Sequence, residues 1–136
     1  MLPLRHLRLW RIASVMLLVV VLTAALMPAV WFWDDKTAGL KWVSGIDKWM
    51  HGVTFAVLAL WFTGLYARSS YWKIGIGLIV FGLAIEGCQR LVTYRTADLA
   101  DVWSDLAGIV IGLLIGALGS GGWCLRAEKY LTESSN

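Results

Sequence analysis

Apolar residues run almost unbroken through four stretches of this chain, and polar residues gather between them. The stretches extend from about Ile12 to Phe32, Trp49 to Tyr66, Tyr71 to Leu91 and Val102 to Cys124. Each approaches the ~20 residues that carry a helix across the hydrocarbon of a bilayer. Runs such as Leu17-Leu18-Val19-Val20-Val21-Leu22 would suit a buried strand in water. In lipid an open strand leaves its backbone groups unpaired, so the pattern predicts helices. The expected fold is all-α: a single domain over residues 1–136 forming a four-helix transmembrane bundle. The polar tail Thr132–Asn136 is expected to fray.

Composition agrees with a membrane setting. The chain is 59% hydrophobic and 15% charged, with mean hydropathy +0.69 and nine Trp. Twelve basic against nine acidic residues leave a net charge of +3, too small and too scattered for a nucleic-acid surface. The basic residues instead report orientation. Seven of them (Arg5, Arg8, Arg11, Arg68, Lys73, Arg126, Lys129) fall on the side of the N-terminus. The other five (Lys36, Lys41, Lys48, Arg90, Arg95) fall opposite. This excess predicts both termini inside, with multi-pass insertion in a cytoplasmic membrane. The first stretch is long for a cleaved signal peptide and lacks an Ala-x-Ala end, so it is taken as a retained helix. Cys88 and Cys124 close different spans at opposite faces, which excludes a disulfide between them.

Against this background Glu86 and Asp105 stand out. A carboxylate at the centre of a span costs at least ~2.5–3.5 kcal/mol even on lenient insertion scales. With a rise of ~1.5 Å per residue, Glu86 lies ~21 Å above Trp72 and Asp105 ~31 Å above Arg126. His51 lies ~26 Å above Arg68 by the same count. All three reach the outer part of a ~30 Å core. Glu86 and Gln89 share a helix face, as do Asp47 and His51, and as do Asp98, Asp101 and Asp105 if the last helix starts near Asp98.

Several roles suit these residues. Asp47 can orient His51 for acid–base chemistry, or it can merely cap a helix that places His51 at the wet interface. Glu86 and Gln89 can hold substrate and move a proton, or act as polar glue between helices. Asp101 and Asp105 can join that site, or mark a helix start rich in acids. His51, Glu86, Asp47, Asp101 and Asp105 are the catalytic candidates, and Lys48, Gln89, Arg95 and Asp98 the substrate-binding ones. Oxygen ligands suit Mg²⁺ or Ca²⁺, but Lys48 and Arg95 already supply counter-charge, so no metal or other cofactor is expected. Arg95 can grip a phosphate or carboxylate through two parallel hydrogen bonds. Trp31, Trp33, Trp42, Trp49 and Trp103 read as an interfacial belt rather than a sugar platform. Gly108, Gly112 and Gly116 let a neighbouring helix approach closely, either within the chain or in a homodimer.

Asp47-Lys48-Trp49-Met50-His51, with Phe55 following, resembles the D-K-x-x-H-x-x-x-F motif of the VanZ-like membrane protein family. Glu86-x-x-Gln89 resembles that family's E-x-x-Q. The block from Arg95 through Asp98, Asp101 and Asp105 to Gly108 and Gly112 resembles its third motif, where many members carry Asn in place of Asp105. The resemblance implies a small integral membrane protein of bacterial cell envelopes, in a family whose founding member is linked to teicoplanin resistance. Three functions follow as expectations. The first is binding, with possible processing, of a lipid-linked or wall-derived substrate. The second is a structural or partner-binding subunit that performs no chemistry. The third is a small proton-coupled transporter, for which four helices without an inverted repeat leave little room.

Overall fold

The computed structural model describes residues 1–27, 39–91 and 99–133, with side chains left undescribed at 39–47, 99 and 132. Among these residues five α-helices follow in order: α1 (Leu7–Leu26), α2 (Gly39–Leu65), α3 (Tyr71–Arg90), α4 (Leu99–Ile115) and α5 (Trp123–Glu133). A short 3₁₀ turn, Arg68–Ser70, joins α2 to α3. Among the described residues there is no strand. Arg95, Asp98, Trp31 and Trp33 lie outside the described residues, as do the side chains of Asp47 and Trp42.

The helices alternate in direction. The chain start lies beside the end of α2, where the Leu2 amide donates to the Leu65 carbonyl (2.8 Å). At the other end the final turn of α1 meets the final turn of α3 through Gln89 and Ala25. The core lies between them: Phe55, Leu58 and Ala59 from α2, Ile74, Leu78 and Ile85 from α3, and Ile109 from α4. On α3 the buried positions Leu78, Gly82, Ile85, Glu86 and Gln89 recur every three or four residues, so the acid and the amide belong to the core-facing stripe.

The outer surface is apolar. Leu9, Ile12, Val15, Met16, Val19 and Val20 are exposed along α1 alone, and only Ser14 of that helix is buried. So continuous a patch is untenable in water and natural in lipid. Among the described residues three helical segments are long and apolar enough to cross a membrane: Leu7–Leu26, Arg68–Arg90 and Ala100–Ser120. α2, which carries Lys48 and His51, is not among them.

α4 packs on α2 more closely than any other pair, and glycine is the reason. A Cβ on Gly108 would collide with the Gly52 carbonyl. One on Gly112 would lie 2.5 Å from the Ala56 oxygen, and one on Gly116 2.6 Å from the Thr63 hydroxyl. All three approaches are made to α2 of the same chain, so the glycine period serves an internal seam.

Helix ends depart from the apolar stretches in three places. α1 begins at Leu7, taking Arg8 and Arg11 into the helix, and stops at Leu26. Met27 is extended (φ −68°, ψ 139°), the conformation favoured before a proline, and Pro28 follows in sequence. α2 begins at Gly39, so Asp47 lies well inside a helix rather than at its start, and the capping reading of Asp47 is corrected. The fourth stretch is broken. Gly116–Ser120 forms a wider π-type turn, and Gly122 adopts a left-handed φ of 71° before α5 starts. Four glycines within seven residues weaken the helix there, and mean hydropathy does not register it.

α5 fastens the basic end of the bundle. The Glu128 carboxylate accepts hydrogen bonds from the Arg5 amide (2.7 Å), the His6 amide (2.9 Å) and the Trp10 indole (2.9 Å). It thereby caps, from 122 and 123 residues away in sequence, amides at the start of α1. Trp10, Trp61 and Trp123 pack beside it with ring centroids 5.6–5.7 Å apart. Cys124 is fully buried underneath, and burial pushes its thiol up to about 12. Burial alone would raise the Glu128 carboxyl too, but the His6 and Arg5 amides and the Trp10 indole together hold it below its ordinary value. A lowered folded value means that the clasp contributes fully above the ordinary carboxylate range and fades as pH falls through the lowered one. Glu128→Ala is expected to cost about 1–2 kcal/mol, the upper range for a lost cap. Thermal unfolding in detergent measures it, and the gap from the parent should close on acidification below the carboxylate range.

Candidate functional site

Three helices bring their polar side chains together at the end of the bundle opposite the Glu128 clasp. α2 contributes His51, α3 contributes Glu86 and Gln89, and α4 contributes Asp101 and Asp105. His51 is 9% exposed, Glu86 5%, Gln89 2%, and Asp101 and Asp105 6% each. Polar groups this deeply buried require partners, and unpaired ones are expensive.

His51 and Asp105 supply each other. The imidazole Nδ1 lies 3.0 Å from Asp105 Oδ1. With the carboxylate ionised, Nδ1 carries the proton and donates it, so the basic lone pair falls on Nε2. The second oxygen of Asp105 reaches α3: a Cβ on Gly82 would lie 2.9 Å from Oδ2 and 3.2 Å from the Phe55 ring. Gly82 is therefore the position that lets the carboxylate lie between α2 and α3. The glycine seam beneath it draws α4 inward at Gly108, one turn further along, and so holds Asp105 against His51.

Gln89 has a structural partner. Its Nε2 donates to the Ala25 carbonyl at 2.9 Å, one of the four carbonyls that the end of a helix leaves unpaired. It ties α1 to α3. Asp101 and Lys48 each take part in further interactions within the chain.

Glu86 differs from all of these. It shares the buried face of α3 with Gly82 and Gln89. Asp101, His51, Arg90 and Asp105 lie within its electrostatic reach. Its Oε1 is nevertheless buried without a hydrogen-bond partner among the described residues. A buried carboxylate oxygen without a donor is rare enough in folded proteins to require an explanation.

Two openings flank the cluster. A cavity of about 160 Å³ separates α1 from α2 and α3, bordered by Val21, Ala24, Met50, His51, Thr54 and Ile85. A groove of about 510 Å³ runs between α2 and α4 past Lys48, Gly52, Ser104 and Gly108. Lys48 thus borders a different opening from His51. Among the described residues no three His, Cys, Asp or Glu side chains are arranged to hold a metal ion.

An imidazole–carboxylate pair thus lies within electrostatic reach of an acid on a neighbouring helix, one oxygen of which is buried without a hydrogen-bond partner among the described residues. Each of the three motifs places at least one member in it. A family model described as VanZ/LLP1 matches residues 6–119, which span α1 to the turn after α4. The chain belongs to the VanZ/LLP1 family. That match covers every described residue of the polar cluster, while Glu128 lies beyond it. We found no matching curated protein and no matching solved structure.

The sequence did not reveal the clasp. Glu128 lies in a C-terminal segment where Arg126 and Lys129 balance Glu128 and Glu133, and the three donors it serves are at the opposite end of the chain. The only available signal was an amphipathic run after Gly122, with Trp123, Cys124 and Leu125 leading a charged segment.

Proposed function

We propose that this chain is a VanZ-like integral membrane protein of the bacterial cell envelope, with four spans and both termini inside. Its outward-facing polar site binds and processes a lipid-linked or wall-derived substrate, in keeping with glycopeptide resistance. The observation that carries this reading is Glu86 Oε1, buried and unpartnered beside the His51–Asp105 pair. A cluster that served only to order the helices would be expected to satisfy its own members, as Gln89 does on Ala25. The topology draws support from charge: Arg5, Arg68, Arg126 and Lys129 belong to the clasp end, and Lys48 and Arg90 to the site end. In this topology α2 is the second of the four spans, and its polar residues His51 and Thr63 are tolerated because they are buried in the bundle interior.

In the proposed chemistry His51 accepts a proton through Nε2 while Asp105 holds the ring and stabilises the imidazolium. Glu86 presents the second proton-exchanging group, and Arg95 holds the anionic part of the substrate. His51→Ala is expected to abolish teicoplanin resistance in a strain that depends on this protein, with membrane levels unchanged. Asp105→Asn is expected to lower resistance less, because the amide oxygen can still accept from Nδ1. Full resistance in both variants would count decisively against the reading.

A further inference from the structure

The strongest observation outside the polar site lies at the other end of the bundle. α1 and α3 meet near Ala25 and Gln89 and diverge from there. The start of α1 is held on Trp61, Trp123 and Glu128, while the start of α3 is held on the far side, where the Tyr71 hydroxyl lies 3.4 Å from the Gly116 carbonyl. The wedge between them encloses about 650 Å³.

Its walls are apolar over most of their length, with Leu18 from α1, Phe62 from α2, and Leu78 and Phe81 from α3. Its polar members, Tyr66, Ser70 and Lys73, all belong to the basic end. From Lys73 to Ala84, the last wall residue on α3, the helix rises about 16 Å. That matches half of a ~30 Å hydrocarbon core, so the wedge runs from one membrane surface to the midplane.

Two further features point to an occupant. Among the described residues no carboxylate forms an ion pair with Lys73, whose ammonium lies 5.4 Å from the Trp72 ring centroid. Gly77 lies on the wall, and a Cβ there would meet nothing within 4 Å. A mid-helix glycine costs about 1 kcal/mol against alanine, and no protein neighbour requires it at this position.

We propose that this wedge binds one acyl chain of a phospholipid with an anionic headgroup, its phosphate at Lys73 and its tail along Gly77 and Phe81. A single chain fits because the wedge is one leaflet deep and polar at one end only. An anionic lipid fits because Lys73 offers a positive charge and no acid lines the wall. The site is separate from the polar cluster and independent of its function.

The test is competition. The protein is reconstituted in nanodiscs of equimolar phosphatidylglycerol and phosphatidylcholine, released, and the retained lipids are counted by native mass spectrometry. The parent is expected to retain phosphatidylglycerol in preference. Lys73→Gln is expected to reduce that preference about fivefold, roughly what one lysine contributes at an anionic surface. Gly77→Leu fills the wedge and is expected to lower total retention about tenfold, with helical content unchanged by circular dichroism. Equal retention of the two lipids by the parent would overturn the proposal, as would undiminished retention in a folded Gly77→Leu. If Gly77→Leu does not fold, an unchanged preference in Lys73→Gln is sufficient to overturn it.

Discussion

Gly108→Leu is expected to leave no folded protein in the membrane fraction. The position has no room even for a methyl group, since a Cβ there would collide with the Gly52 carbonyl and lie 2.9 Å from its carbon and 3.1 Å from the Ala56 nitrogen. These are backbone atoms inside a helix, which cannot swing aside as a side chain can. Accommodation requires α4 to move away from α2, and the seam continues through Gly112 and Gly116, so separation at one point opens the others. Overpacking costs typically ~1–3 kcal/mol where side chains absorb it, and more where they do not. Against a total stability of ~5–15 kcal/mol, several kcal/mol is enough to lose the fold. Gly87, whose Cβ would meet nothing within 4 Å, provides the control: Gly87→Ala should be neutral or slightly stabilising. Size-exclusion profiles and thermal unfolding of the two variants in the same detergent decide the matter. Gly108→Leu with a parental melting curve would show that α2 and α4 do not meet there.

Glu86→Gln is expected to have the opposite profile, with stability kept and function lost. The amide has the shape of the carboxyl, so its place on the buried face of α3 is preserved. Oε1 has no hydrogen bond to lose. Burying a carboxylate is costly, and neutralising it relieves the bundle of that cost. The melting temperature should therefore hold or rise, with any free-energy loss below about 1 kcal/mol. A structural role predicts the reverse, because removing one member of a satisfied buried network exposes the others. Gln89→Ala supplies that contrast: it strips the donor from the Ala25 carbonyl and should destabilise the junction of α1 with α3 by about 1–3 kcal/mol.

The site was more legible in the sequence than the fold around it. Helical rise is nearly constant, so counting residues from interface to interface placed His51, Glu86 and Asp105 in the outer part of the bilayer, and the three share one end of the bundle in the structure. Helical period likewise put Glu86 and Gln89 on one face. What period and rise cannot give is which groups on that face find partners. Gln89 and Glu86 look alike in sequence, yet one meets a helix-end carbonyl and the other leaves Oε1 without a partner among the described residues. Helix ends were less legible because hydropathy registers greasiness rather than backbone preference. It hid the first ten residues of α2 behind polar positions and ran α4 through a glycine-rich break. Glu128 was illegible for a different reason, since its donors, two backbone amides and the Trp10 indole, are at the far end of the chain.

The geometry suggests what the spacings within the three motifs achieve. His51 and Phe55 lie one turn apart on α2, so one meets Asp105 while the other fills the core beneath it. Asp101, Asp105 and Gly108 follow along α4 at intervals of four and three, with the acids toward the site and the glycine against α2. The acids depend on the glycine for their position, so loss of the seam should carry loss of the site with it.

Teicoplanin susceptibility of a strain whose resistance depends on this protein, complemented by the parent or by Glu86→Gln at matched membrane levels, tests the functional claim for the buried cluster most directly. The proposed site predicts that Glu86→Gln, folded and inserted, leaves the strain as sensitive as one without the protein. Parental resistance from that same folded variant would contradict it and leave the cluster with a structural role alone.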